Sequence, residues 1–381
     1  MYAFYNYISR HMKKLLLLLI PALFAGFVLP GKSCRDGKIA GLPSDGPFIV
    51  YRNHMIYIYT ILEQDGARSL AVDSISQDDR SSLLVKVNTE EPGQSFSFPL
   101  QKSISNQPSE FPAASKYFVL SDIEGNFAGF RKLLMAGGVI DSSFNWTYGT
   151  GNLVLTGDFF DRGTQVTEVL WLIYSLEEKA KAAGGYVHFI LGNHEIMNLS
   201  GDLRYVQPKY LESASLIRMG YTALYGGGTE LGRWLRTKNV TEKIGDMLFM
   251  HGGISSAINR LNLPVDSINH LARPFYADSL YVYKDARVDT IYGDSGPFWF
   301  RGYYLNKTGH EMNMVDSTLA TYHVNHIATG HTIIADTISV HYSGKVLNTD
   351  VHHAGGHSEA LMIEGNSFFR VLPDGKKIRI L

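Results

Sequence analysis

Beyond residue 116 the chain repeats one pattern: a short unbroken apolar run, a polar stop, then a longer stretch of mixed character. Tyr117-Phe118-Val119-Leu120, Leu153-Val154-Leu155-Thr156, Val187-His188-Phe189-Ile190-Leu191, Met247-Leu248-Phe249-Met250 and His326-Ile327-Ala328-Thr329 have the length and apolarity of strands buried on both faces. Each ends in a polar residue or in glycine followed by one. Between the second and third runs, residues 166–182 alternate apolar and charged positions at helical spacing and stop at Gly184-Gly185, which predicts a crossover helix. The expectation is an α/β fold whose strands are joined through helices. No repeat of solenoid length is visible.

The pattern before residue 100 is different. Pro47-Phe48-Ile49-Val50-Tyr51, Met55-Ile56-Tyr57-Ile58-Tyr59-Thr60 and Ser82-Leu83-Leu84-Val85-Lys86-Val87 are short β-branched and aromatic runs between Gly, Asp and Ser turns. They predict a small β-rich unit over residues 34–100. Residues 101–115, with Asn106-Gln107-Pro108-Ser109 and Pro112, read as a linker into a domain spanning 116–381.

Residues 1–33 have the form of an export leader. Met12, a candidate start, begins the basic Met12-Lys13-Lys14, and the apolar run from Leu15 to Leu29 is broken by Pro21 and Gly26, short of the roughly 20 residues a membrane span needs. Cys34, the single cysteine, stands where a bacterial lipoprotein carries its lipidated residue, the alternative being an incidental thiol. The expected location is therefore periplasmic, or membrane-anchored through Cys34. With 35 basic and 36 acidic residues the net charge is -1, which argues against a nucleic-acid binder and leaves any anion to be attracted locally.

In open α/β sheets the loops at the carboxyl ends of strands converge. By that rule the five apolar runs deliver Asp122 and Glu124, then Asp158, Asp161 and Arg162, then Asn193, His194 and Glu195, then His251, then His331. Carboxylate, carboxamide and imidazole are oxygen and nitrogen donors suited to hard or borderline divalent cations. Two such cations held close together would clamp a phosphoryl group and lower the pKa of a water between them.

The segments Ser121-Asp122-Ile123-Glu124-Gly125-Asn126, Gly157-Asp158-Phe159-Phe160-Asp161-Arg162-Gly163, Gly192-Asn193-His194-Glu195, His251-Gly252-Gly253 and Gly330-His331-Thr332 resemble the calcineurin-like metallophosphoesterases of the phosphoprotein phosphatase type. Gly201-Asp202-Leu203-Arg204-Tyr205-Val206 and Gly296-Pro297-Phe298-Trp299-Phe300-Arg301-Gly302 look like the Shewanella-like protein phosphatase branch, and the likeness runs from about residue 116 to the end. The resemblance implies a β-sandwich flanked by helices, α/β/β/α, holding two divalent metal ions (manganese, iron, zinc or magnesium). It implies that Asp122 and Asp158 hold one metal and that Asp158, Asn193, His251 and His331 hold the other. His194, paired with Asp161, would protonate the leaving oxygen, while Arg162 and Arg301, with Asn193, would bind the phosphate. Glu195 would orient Arg162.

One position departs from the family pattern: Glu124 stands where most members have histidine. It can ligate through oxygen and shift the first site toward harder ions. The substrate implied is a phosphorylated protein, phosphotyrosine among the options. The alternatives are a small phosphoester such as a nucleotide, or a catalytically impaired binding protein. His352, His353 and His357 stand near a final active-site loop and read equally well as substrate contacts or as a solvated turn. Tyr225-Gly226-Gly227-Gly228-Thr229 lacks the Lys-Ser/Thr ending of a phosphate-cradling loop and reads as a loop before a helix.

Overall fold

The computed structural model describes residues 39–40, 44–305 and 309–381, apart from residues 90 and 92. The leader and Cys34 lie outside them. Four strands, β1 (Ile39–Ala40), β2 (Asp45–Arg52), β3 (Met55–Gln64) and β4 (Ala67–Ser76), pair antiparallel in the order β1-β4-β3-β2. A hairpin of β5 (Leu84–Asn88) and β6 (Ser95–Pro99) follows. These are the expected β-rich unit.

The next strands are β7 (Glu110–Phe111), β8 (Lys116–Leu120), β9 (Asn152–Thr156), β10 (Tyr186–Ile190), β11 (Thr241–Ile244) and β12 (Met247–Met250). After them come β13 (His326–Thr329), β14 (Ser339–His341), β15 (Val346–Asn348), β16 (Ala360–Glu364), β17 (Ser367–Val371) and β18 (Lys377–Arg379). They form two six-stranded sheets in the orders β10-β9-β8-β16-β17-β18 and β14-β15-β13-β12-β11-β7. Strands β8, β9 and β10 run parallel in one sheet, and β12, β13 and β15 run parallel in the other. All five apolar runs are thus strands.

The strict alternation of a strand builds the sandwich from these runs. Tyr117, Val119 and Val154 meet Met247, Phe249 and Ala328 in an apolar layer between the sheets. Their neighbours Phe118, Leu120, Leu153, Leu248 and Ile327 point the other way, into the larger core under the helices. Both faces of each strand are covered, so the runs carry no polar alternation.

Helix α1 (Phe127–Ala136) starts where the Asn126 side chain accepts from the Gly129 N–H at 2.8 Å. Helix α2 (Val166–Ala182) is the crossover from β9 to β10 and matches its predicted span. It is buried almost all round, because the front strands cover the side that the sandwich does not: Phe98 packs on Trp171 and Tyr174, at ring distances of 5.5 and 5.7 Å. Two charged positions of α2, Glu168 and Glu177, are buried too, whereas Glu178 and Lys181 in its last turn are exposed. Glu177 is ion-paired with the fully buried Lys238 at 2.5 Å and accepts from the Trp234 indole at 3.0 Å.

Residues 101–115 are tied down at Gln101 and again from Gln107 onward. The Gln101 side chain donates to Glu177 at 2.8 Å, and the segment adds β7 as a parallel edge strand on β11. Part of the segment's polarity serves edge pairing and side-chain hydrogen bonds, which a sequence cannot distinguish from the solvent exposure of Lys102, Ser103, Ser105 and Asn106. The described residues form one compact unit. Among the described residues no helix is long and apolar enough to cross a membrane.

Candidate functional site

The parallel strands of both sheets end on the same side, and the predicted residues meet there. Asp122 follows β8, Asp158 follows β9, Asn193 and His194 follow β10, His251 follows β12 and His331 follows β13. Helix α3 (Asn193–Ser200) begins inside the site, and its His194 N–H donates to Asp158 Oδ1 at 2.9 Å. The loops are contorted to achieve this. Asp122, Glu124, Asp158, Asp161, Arg162 and His331 all have positive φ, between 50° and 71°, a region that non-glycine residues occupy at a cost. The glycines beside them are required by close approach: a Cβ on Gly192 would collide with the Asp158 carboxylate, and one on Gly157, at φ 91°, with the Gly192 backbone and His251.

One cluster comprises Asp158, His251 and His331, all buried, whose potential ligand atoms lie within 4.8 Å of one another. His251 Nδ1 faces the Thr156 carbonyl at 2.8 Å and His331 Nε2 faces the Trp299 carbonyl at 3.1 Å. Those carbonyls fix the tautomers and leave His251 Nε2 and His331 Nδ1 as lone-pair donors. Around His251 Nε2 stand Asp158 Oδ2 at 3.0 Å, Asn193 Oδ1 at 2.9 Å and His331 Nδ1 at 3.1 Å. Four electron-rich atoms converge, so a cation or a proton must sit among them. The donor set therefore fits a divalent metal.

The electrostatics agree. Burial would depress the His251 imidazole, but Asp158 and Asp122 push it up to about 9. Burial would lift the Asp158 carboxyl, but His251 and His194 hold it well below the usual range. Burial together with His251 and Arg301 pushes His331 far down, keeping its ring neutral.

The second cluster comprises Glu124, Asp158 and His194, again with ligand atoms within 4.8 Å. Glu124 is also in direct contact with the Arg162 guanidinium. Asp122 joins the site through its Oδ2, which accepts the His331 N–H at 3.0 Å. Burial and the nearby Asp158 raise its carboxyl against the lowering effect of His251. His194 Nδ1 donates to Asp161 Oδ2 at 2.6 Å, and its Nε2 lies 3.8 Å from Asp158 Oδ2. Burial disfavours the charged ring, yet the two carboxylates prevail and raise its pKa. Arg301 is at the exposed rim, donating to the His331 carbonyl.

Two expectations need correction. Glu195 does not orient Arg162; it is fully buried and accepts the backbone N–H groups of Asp158, Phe159 and Gly192 at 2.9, 2.7 and 2.6 Å. Those donors favour its ionised form while burial and Asp158 lift the carboxyl to about 7. Of the three late histidines, His353 is fully buried, whereas His352 pairs with Asp336 at 3.1 Å and His357 with Glu359 at 3.3 Å. Two neighbours of the site were not foreseen. Asp350 follows the short β15; burial raises its carboxyl strongly, with Asp122 and Asp158 adding to the rise and His251 opposing it. The Tyr205 ring lies 5.2 Å from that of His194, tilted by 44°, and 5.5 Å from the Arg162 guanidinium while remaining 42% exposed. The strand-end rule would have found Asp350; Tyr205 had only its motif.

Comparison with known proteins places this geometry among characterised folds. A family model described as calcineurin-like phosphoesterase matches residues 115–335. The chain is 25% identical to Shewanella-like protein phosphatase 2 of Arabidopsis thaliana, covering 66% of this chain and 74% of that protein. An uncharacterized protein of Schizosaccharomyces pombe is 29% identical, with 68% and 80% covered. The crystal structure of a cold-active protein-tyrosine phosphatase of a psychrophilic Shewanella superposes with a TM-score of 0.79 at 36% identity. That match covers 89% of this chain and 99% of the other, more than residues 116–381 alone would give, so it extends into the front strands.

Proposed function

This chain belongs to the calcineurin-like phosphoesterase family, and from that premise we propose that it hydrolyses phosphate monoesters on proteins, phosphotyrosine included, with two divalent metals at its strand ends. The observation that carries the reading is the convergence of Asp158, Asn193, His251 and His331 on one point with no fixed hydrogen-bond donor among them. Those four residues would hold one metal. Asp122, Asp158 and Glu124 would hold the other, with Glu124 shared between that position and Arg162. Metals bound there supply Lewis acidity and make hydroxide available near neutral pH.

The chain's own groups do the rest. His194, its Nδ1–H anchored on Asp161 and its pKa raised by the two carboxylates, presents Nε2 as the proton donor to the leaving oxygen. Arg162 and Arg301 flank the site and suit the non-bridging phosphate oxygens. Tyr205, packed beside both His194 and Arg162 and partly exposed, offers a ring face to an aryl leaving group. That placement, together with the likeness to a protein-tyrosine phosphatase, supports phosphotyrosine over phosphoserine.

The test is phosphate release by the manganese-loaded protein from p-nitrophenyl phosphate, phosphotyrosine peptide, phosphoserine peptide and a nucleotide. Faster turnover of the phosphotyrosine peptide is expected, and Asp158→Asn should abolish all release while leaving the fold intact. Preference for the nucleotide would favour a small-molecule phosphatase. Release from no substrate, with metal present by elemental analysis, would favour a binding protein.

A further inference from the structure

Away from the strand ends, a cavity of about 530 Å³ opens where the front strands, the connecting segment and the domain meet. Arg80 lines it from just after β4, Lys102 from the connecting segment, and Glu230, Arg233 and Arg236 from the helix Glu230–Leu235 and its end. Four basic side chains therefore face one carboxylate, in a chain whose net charge is -1. Glu230 is already committed: it accepts from Tyr51 and Tyr174 at 2.5 Å each and from Arg80 Nη2 at 2.9 Å. Among the described residues Lys102, Arg233 and Arg236 have no carboxylate partner.

The two free arginines are held in place by neutral groups. Arg233 Nε donates to the Gly227 carbonyl at 3.1 Å, and its guanidinium sits 4.1 Å over the Tyr51 ring. Arg236 Nη1 donates to the carbonyls of Tyr225 and Gly232 at 2.6 and 2.8 Å. Burial pushes its pKa down, so its charge is held in partial desolvation without an anion to offset it. Both arginines thus keep further N–H groups for a ligand, in fixed orientations.

We propose that this cavity is an anion site separate from the strand-end centre, taking a small polyphosphate or organic phosphate with at least two negative charges. Its volume falls within the roughly 300–1,000 Å³ of small-ligand pockets, which favour domain boundaries. Guanidinium forks match phosphate oxygens two at a time. Tyr51 and Arg80 belong to the front unit, so that unit supplies one wall of the site.

The proposal is independent of the reaction at the strand ends, and its test removes that reaction. Tripolyphosphate is titrated calorimetrically into the full chain carrying Asp158→Asn. One binding event is expected, weakening as salt rises and falling at least about tenfold in affinity when Lys102→Glu and Arg233→Glu are added. Should the charge-reversed chain lose its circular-dichroism signature, Lys102→Gln at its exposed position serves instead, with a loss of about threefold expected. Absence of binding in the Asp158→Asn chain overturns the proposal. So does undiminished affinity in a folded chain lacking the basic residues.

Discussion

Replacing Glu195 by glutamine changes one oxygen for an NH2 group at the point that holds the Asp158 loop. Glu195 Oε1 accepts from Phe159 and Oε2 from both Asp158 and Gly192, all through backbone N–H groups. Whichever oxygen is replaced, a donor then faces at least one donor in a site closed to water. Above about pH 7, where Glu195 is ionised, hydrogen bonds to its carboxylate contribute about 1.5–3 kcal/mol each, and one or two are lost, so Glu195→Gln should destabilise the protein there by about 2–5 kcal/mol. A fold of ordinary stability, about 5–15 kcal/mol, would survive this with a lowered urea midpoint. Because the same bonds position Asp158, kcat should fall with the midpoint, and more metal should be needed for half-maximal activity. Equilibrium urea unfolding and a manganese titration of p-nitrophenyl phosphate hydrolysis read both effects. A midpoint and metal requirement unchanged from the parent would refute the clamp.

Other positions give sharper single readings. Lys238→Met strands the buried Glu177 carboxylate and should cost about 3–5 kcal/mol in urea, with much of it regained when Glu177→Leu is added; additive losses would count against the pairing. Gly157→Ala forces a side chain at φ 91° against the Gly192 backbone and His251, so about 1–3 kcal/mol of stability and most of the bound metal should be lost by unfolding and elemental analysis. His353, depressed to about 3 by burial and the neighbouring His357, stays neutral in the fold while its unfolded form titrates near 6.5. The unfolded chain therefore binds more protons between those values, and stability falls as pH drops, by about 2 kcal/mol from pH 7 to pH 5. His353→Gln should remove that part of the pH dependence, and an unchanged slope would exclude the histidine as its source.

How much was legible depended on whether a residue's partners were near in sequence. Strands β8 and β12 announce themselves because burial on both faces leaves an unbroken apolar run, and the polar residue that ends it stands out. Strand β15 is only Val346–Asn348, too short for that signal, and Asp350 went unnoticed with it. The spacing of α2 gave its span but not its burial, since Lys238, which neutralises Glu177, lies 61 positions away. Glu195 was legible as a strand-end residue but its role was not: its partners are backbone groups, and every residue type carries those. Similarly, residues 101–115 looked like a linker because edge pairing through β7 leaves no apolar trace.

The left-handed backbones at Asp122, Glu124, Asp158, Asp161, Arg162 and His331 set stability and activity against each other within the same loops. Glycine at any one of them would relax the chain by about 1 kcal/mol while deleting a functional group. A search for hardier variants of this protein, screened by heat alone, would therefore drift toward sequences that have discarded the site. Only a screen that also demands turnover would keep it, and the stabilising substitutions that survive such a screen should lie outside these loops.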